Sequence, residues 1–142
     1  MKAWHFVGKT LRDGSPIPAD GEWLEYTGTV KMCESGLHSS YSAFDALQYA
    51  PGETLCLVEI DDVVDTQSDK TVCRRRKIIK RKDIAELLWK FSRQQALSVI
   101  HLWDAPAVVR KYLETGNEKL RAAAGDAAGD AARAAAWDAA WA

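Results

Sequence analysis

Residues 54–82, TLCLVEIDDVVDTQSDKTVCRRRKIIKRK, place an apolar run, an acidic segment and a basic segment in immediate succession. The run from Leu55 to Val58 is apolar throughout, which is typical of a central strand covered on both faces. Every charged residue from 59 to 69 is acidic, and every charged residue from 70 to 82 is basic. We therefore predict two neighbouring strands whose opposite charges neutralise each other across the pair.

Shorter elements are expected on the N-terminal side of this pair. Residues 3–7 predict a first strand, and residues 22–26 and 30–33 predict two strands of a hairpin. A turn at residues 36–38 leads into a short helix, which Ser40 or Ser42 can cap. The chain thus has the pattern of an α+β fold with a small mixed sheet of about five or six strands.

Helical signals dominate after the basic segment. Asp83 occupies a capping position, with Glu86 three residues later. Asp104 and Pro106 favour the start of another helix, and Gly116 favours its end. We predict C-terminal helices, followed by an alanine-rich terminal helix.

The last segment is low in complexity. Alanine gives it helix propensity, and two glycines four residues apart allow another backbone to approach closely. We predict an α+β domain at residues 1–116 and an alanine-rich helical tail at residues 117–142. The tail either packs on the domain or pairs with a second copy to form a homo-oligomer. The residues that would support self-association are Gly125, Gly129, Trp137 and Trp141.

Composition narrows the possible function classes. No run approaches the roughly 20 apolar residues that cross a bilayer, and the apolar start is too short for a signal peptide. We therefore expect a cytoplasmic protein with no membrane partner. Cys33, Cys56 and Cys73 form no Cys-x-x-Cys pair, so we expect buried thiols, no metal and no cofactor.

The turn at residues 36–38 is the candidate binding site. It combines His38 with serine hydroxyls before a helix N-terminus, where free N–H groups attract anions. The nearby arginines can contact phosphates, but the net charge of −1 and the acidic segment argue against a nucleic-acid partner. There are two alternatives to ligand binding. In one, the serines serve only to cap the helix, and in the other, the basic strand is only a solvated strand that pairs with the acidic one. The predicted ligand-binding residues are His5, Gly36, His38, Ser39, Ser40, Arg74 and Arg76. We predict no catalytic residue.

The motif Cys33-Glu34-Ser35-Gly36-Leu37-His38 and the final alanine repeats resemble an uncharacterised family of phages and prophages. Members of that family have a Cys-x-x-Gly-x-His turn followed by low-complexity repeats. The resemblance covers the whole chain and implies the cytoplasm of an infected or lysogenic bacterial host. It implies no activity, because the family has no known function.

A second pattern is similar to ADP-ribosyltransferase-like domains. It consists of His5 on the first strand, the Gly36-Leu37-His38 turn, a helix ending near Gln48-Tyr49 and an apolar strand. This resemblance implies that His5 contacts the ribose of NAD and that His38 replaces the tyrosine that stacks on nicotinamide. The catalytic glutamate of that family has no counterpart here, because the chain has Asp69, Lys70 and arginines at that point.

Three function classes remain open. The first is a phage-type, non-enzymatic binding protein that sequesters a nucleotide-like anionic ligand or blocks a host defence protein. The second is an ADP-ribosyltransferase-like enzyme that uses NAD, with Glu59 or Asp69 as its acid. The third is a structural or assembly protein that acts through the alanine-rich helix. The missing catalytic glutamate favours the first.

Overall fold

A computed structural model describes the backbone of residues 1–141 and the side chains of residues 1–140. Within this part of the chain, the predicted α+β class is confirmed, since five strands form one antiparallel sheet, a short helix lies between β3 and β4, and the other helices follow the sheet. The strands are β1 (Lys2–Val7), β2 (Trp23–Glu25), β3 (Leu37–Ser39), β4 (Thr54–Thr66) and β5 (Thr71–Asp83). The helices are α1 (Ala43–Leu47), α2 (Ala85–Ser98), α3 (Ala107–Thr115) and α4 (Arg121–Trp141), with short 3-10 turns at Ile100–Leu102 and Glu118–Leu120.

The long hairpin of β4 and β5 is the centre of the sheet. Glu59 lies opposite Lys77 and Asp61 opposite Arg75, and their side chains form ion pairs of 2.8 and 2.9 Å. The predicted pairing of the acidic strand with the basic strand is therefore confirmed. These pairs are partly exposed, so each contributes no more than about 1 kcal/mol. The apolar core of the sheet is the main source of stability. Its buried residues are Ala3, Val7, Cys56, Val58, Ile60, Cys73 and Ile78.

The sheet order places β1 next to β3 in space. The strands follow the order β1-β4-β5-β2, and β3 also pairs with β5. A separate antiparallel bridge joins Trp4 to Ser40, with N–H to carbonyl distances of 2.7 and 2.9 Å in the two directions. Because this bridge closes on β1, His5 and His38 lie on neighbouring segments.

The predicted hairpin of residues 22–26 and 30–33 is wrong. β2 pairs with β5 instead, and Tyr26 N donates to Arg74 O at 2.8 Å. Residues 31–36 form a turn, in which Lys31 N donates to Ser35 O. Residues 23–25 pair with the longer edge of β5, and residues 30–33 form no strand.

The turn before β3 depends on glycine at position 36. Gly36 has φ 97°, and an added Cβ would lie 2.8 Å from methyl groups of Val30 and Val72. No other side chain fits there without displacing the core. Residues 37–39 then form β3, and Ser42 caps α1 by accepting from Phe44 N at 3.2 Å.

The chain divides into two compact units, Met1–Ala85 and a second from Glu86 onward. At the start of α2, Asp83 Oδ1 accepts from Ala85 N at 2.8 Å, as its capping position predicted. α3 ends at Gly116, which has φ 64°, and α3 packs against α4 with Val109 and Ala124 buried. The predicted domain boundary at residue 116 stays a prediction.

Among the described helices, none has both the length and the apolar character that a membrane crossing requires. The cytoplasmic location stays a prediction.

Candidate functional site

A groove of about 890 Å³ lies in the first unit. It is lined by the end of β1 and the loop after it, by β2, by the turn before β3 and the first two residues of β3, by Tyr49 and Pro51 after α1, and by one residue of β5. Four of the predicted ligand-binding residues line it: His5, Gly36, His38 and Arg76. Four strands, β1, β2, β3 and β5, therefore contribute to one concave surface.

Arg76 is the most buried charged side chain of the groove. It is 6% exposed, and its Nη1 donates to the carbonyl oxygen of His38. No carboxylate within residues 1–141 forms an ion pair with it. Burial lowers the pKa of Arg76 to about 10, so the guanidinium stays positive at neutral pH. A buried cation without a counter-charge costs several kcal/mol, so this position favours an anion.

A water-sized cavity of about 10 Å³ lies on another side of Arg76. Its lining also includes Glu22, whose Oε2 accepts from Ala19 N at 3.0 Å. A single water there can satisfy one guanidinium N–H but cannot neutralise the charge.

His5 lies beside Arg76 as a neutral imidazole. Burial lowers the pKa of His5 well below its ordinary value of 6.5, and the charges of Arg76 and His38 lower it further. At pH 7 this side chain therefore offers one ring N–H donor and one acceptor without adding charge.

His38 holds the turn rather than presenting a free ring. Its Nε2 accepts a hydrogen bond of 3.0 Å from the N–H of Cys33, a residue with φ 66°. Burial lowers the pKa of His38, a hydrogen bond to the backbone of Gly36 opposes this, and the cations Arg76, Lys70 and Arg12 lower it further. Three cations thus act on one imidazole, which indicates a positive potential along this wall.

Three predicted ligand-binding residues do not line the groove: Ser39, Ser40 and Arg74. Ser39 and Ser40 are buried, and Ser40 supplies the backbone bridge to Trp4. Arg74 donates to the carbonyl oxygen of Gly28 at 2.8 Å and forms an ion pair of 3.4 Å with Asp62. These residues support the segments around the groove instead.

The loop after β1 is a part of the groove that the sequence reasoning missed. It contributes every residue from 8 to 13, including Lys9, Thr10 and Arg12. The available signal was two basic residues and a hydroxyl directly after a strand. Neither Lys9 nor Arg12 forms an ion pair with a side chain that the structure describes.

The groove also contains three carboxylates, of which two have partners. Asp13 accepts from the N–H and hydroxyl of Ser15 at 3.0 and 2.6 Å. Glu34 pairs with Lys31 at 2.6 Å. Glu25 has no ion-pair partner in the described part of the chain.

The two acids considered for a transferase lie outside the groove lining. Glu59 is paired with Lys77, and Asp69 accepts a hydrogen bond from the hydroxyl of Tyr49. Across residues 1–141, the structure contains no group of histidine, cysteine, aspartate and glutamate side chains arranged to hold a metal ion.

The predicted self-association residues lie on α4. An added Cβ at Gly125 would meet no atom within 4 Å, and one at Gly129 would meet only the flexible end of Arg133. Trp137 is 66% exposed, and the side chain of Trp141 lies outside the described residues. Self-association stays a prediction.

A family model described as "Domain of unknown function (DUF7666)" matches residues 1–90, a range that includes all five strands and the groove. No curated protein and no solved structure matches the chain.

Proposed function

The chain belongs to the DUF7666 family, and we propose that it binds a nucleotide-like anionic small molecule in the groove without converting it. The observation that carries this proposal is the buried guanidinium of Arg76. It lies against a groove of about 890 Å³ and has no carboxylate partner within residues 1–141. A bound anion would supply the missing counter-charge, and its charge-assisted hydrogen bonds would be stronger than bonds between neutral groups.

The apolar and aromatic part of the lining supports a nucleotide-like ligand over a simple inorganic ion. Leu11, Leu24 and Leu37 line the groove together with Tyr26 and Tyr49. Ligand sites usually combine such apolar walls with a few polar anchors, and an aromatic side chain can stack on a base. A volume near 890 Å³ is at the upper end of the range for small-molecule sites.

Binding without turnover is favoured by how the polar groups are already used. His38 Nε2 accepts from Cys33, and Asp13 and Glu34 are held by Ser15 and Lys31. A general base must reach the proton that it removes, and of His38 and the three groove carboxylates only Glu25 has no partner in the described part of the chain. The small-molecule form of this hypothesis is favoured over a blocked host protein because the unbalanced charge lies inside a concave site. The phage-type context and the role against host defence rest on sequence resemblance alone.

The test is a retention experiment on the full chain. A nucleotide panel that includes NAD and cyclic nucleotides is incubated with wild type, with Arg76→Met and with Lys80→Met, and free compounds are quantified by mass spectrometry before and after heat release. Lys80→Met is the matched control, because it removes one cation from an exposed position of the same strand outside the groove. We expect one compound to be retained by wild type and Lys80→Met, to return intact, and to stay free with Arg76→Met.

Two outcomes would overturn the proposal. Compounds returned as products would indicate an enzyme, and a panel that stays free with wild type would leave the groove without the proposed ligand class. A circular-dichroism melt of Arg76→Met, together with Arg76→Lys as a charge-retaining variant, separates loss of binding from loss of folding.

A further inference from the structure

We infer that the ligand carries two or more linked phosphates, with Arg76 binding one and the loop of residues 8–13, here named the β1 loop, binding the next. The inference rests on the proposed function and narrows its ligand to nucleoside di- and triphosphates. It also assigns Lys9 and Arg12 as the residues that discriminate these from monophosphates.

The composition of the β1 loop supports phosphate contact. Lys9, Thr10 and Arg12 are exposed, and all three line the groove. Leu11 N donates to Ser15 O, whereas the backbone N–H groups of Lys9, Thr10 and Arg12 donate to no acceptor within residues 1–141. The loop therefore offers two cations, a hydroxyl and unpaired amides, the groups that bind phosphate oxygens in proteins.

The β1 loop and Arg76 face the same space. Arg12 and Arg76 both act electrostatically on the imidazole of His38, and both line the groove. Because both side chains line one groove, a single extended anion bound there can contact both guanidinium groups. A single phosphate can neutralise the buried cation, whereas linked phosphates can also reach the exposed ones.

The sequence Gly8-Lys9-Thr10 after a strand is similar to the end of a phosphate-binding P-loop, but the surrounding structure is different. No helix follows the β1 loop before β2, and the chain has no glycine five residues before Gly8. The inference therefore depends on side-chain cations and exposed amides, not on a helix N-terminus.

The experiment uses inorganic phosphate, pyrophosphate and tripolyphosphate as base-free probes, titrated into the full chain by calorimetry with a chelator present. We expect the affinity to rise roughly tenfold from phosphate to pyrophosphate, as one or two added charge-assisted hydrogen bonds would give. Lys9→Ala with Arg12→Ala should abolish that rise and leave phosphate binding in place. Lys80→Ala with Lys82→Ala removes the same charge from exposed positions outside the groove and should preserve the rise.

The failures of the two ideas are distinguishable. If wild type binds phosphate and pyrophosphate equally and Arg76→Met binds neither, the two-phosphate inference is overturned and the proposed function stands. If the control pair loses the rise as fully as the β1-loop pair, the effect is overall charge and the inference is also overturned. If wild type retains neither these anions nor any nucleotide of the panel, the proposed function itself fails.

Discussion

Arg76 is the residue at which binding and stability oppose each other. Its guanidinium is buried, positive and hydrogen-bonded to one carbonyl oxygen, that of His38. Keeping this charge from water costs stability in the ligand-free protein, and the proposed anion would offset that cost. An apolar side chain of similar length would satisfy the core better, which supports a binding role for Arg76 in the proposed function.

We predict that Arg76→Met leaves the ligand-free protein at least as stable as wild type. The lost hydrogen bond to His38 O costs about 1–3 kcal/mol, and removal of the buried charge returns several kcal/mol. Urea unfolding of both proteins without ligand measures this balance. With saturating pyrophosphate, only wild type should gain stability, and a stabilised Arg76→Met protein would contradict the role of this residue.

A second prediction concerns pH. His5 is neutral in the fold, with its pKa well below 6.5 because of burial and then Arg76 and His38, whereas the unfolded chain takes up a proton near 6.5. The unfolded state therefore binds more protons between these two values, and the stability that His5 contributes above pH 6.5 is lost as pH falls toward its folded pKa. Two other ionisable side chains lie on elements that pack against β1. They are Cys56, which is opposite His5 on β4, and Asp45 on α1.

The free energy of unfolding should fall by up to about 1.4 kcal/mol for each pH unit below 6.5 on account of His5. Glu59 contributes little above pH 5, because the stability gained from a pKa that Lys77 holds below the ordinary 4.5 is lost mainly as pH falls through 4.5 and below. His5→Gln should reduce the slope measured by urea unfolding from pH 7 to about 5. This substitution should not abolish the slope, because burial also lowers the pKa of His38. An unchanged slope would contradict the buried neutral state of His5.

Gly36 and Gly14 form a matched pair for testing the turn before β3. Both have positive φ, 97° and 84°, but an added Cβ meets Val30 and Val72 at position 36 and nothing within 4 Å at position 14. Gly14→Ala should cost about 1–2 kcal/mol from backbone strain alone. Gly36→Ala should cost roughly 1–3 kcal/mol more from overpacking, and equal losses in a urea titration would contradict the steric explanation.

At the scale of elements, the β4–β5 hairpin was predictable because its signals are adjacent in sequence. The apolar run and the switch from acidic to basic residues occupy consecutive positions. The cap of α1 at Ser42 and the end of α3 at Gly116 are likewise local signals, each lying next to the helix that it bounds. The pairing of β2 and β3 with β5 was not predictable, since it joins residues more than thirty positions apart and short strands carry little preference of their own.

The same limit applies to the groove. Arg74, Arg75 and Arg76 are identical side chains in one run, yet Arg74 binds a loop carbonyl, Arg75 pairs with Asp61, and Arg76 is buried in the groove. Strand pairing alone decides these roles. The sequence therefore indicated the turn, His5, Arg74 and Arg76, but could not separate Arg76 from Arg74 or include the β1 loop.

We predict that the ion pair of Glu59 with Lys77 stabilises the pairing of β4 with β5, and that the two charges can be exchanged between the strands. Glu59→Lys places two cations opposite each other on β4 and β5 and should cost about 1 kcal/mol. Glu59→Lys with Lys77→Glu should recover most of this loss. Recovery is incomplete because Lys77 also lies 4.7 Å from the Trp23 ring centroid, a contact that glutamate cannot make. Additive losses in a double-mutant cycle would contradict direct pairing.

At the scale of the whole molecule, the groove and the alanine-rich helix belong to different compact units. The groove lies within Met1–Ala85, and the family match ends at residue 90. The alanine-rich α4 belongs to the second unit, and an added side chain at Gly125 would meet no atom within 4 Å. Binding and self-association are therefore expected to be separable by substitution.

We predict that the purified chain is a homo-oligomer held through α4. Gly125→Ile with Gly129→Ile should lower the mass measured by light scattering, because larger side chains prevent close approach of a second helix. Retention of the nucleotide by this variant should match wild type. A mass equal to that of a single 15.7 kDa chain for both proteins would contradict self-association.

The bridge between Trp4 and Ser40 has a consequence for synthesis of the protein. His5, His38 and Arg76 meet only after β1 has paired with β4, β4 with β5, and β5 with β3. A nascent chain on the ribosome therefore has no anion site until β5 has left the exit tunnel. Pairing over such long sequence distances is slow, so the proposed site forms only after these pairings are made. Recovery of binding by the proposed ligand during refolding is thus expected to follow the pairing of β1, β3, β4 and β5.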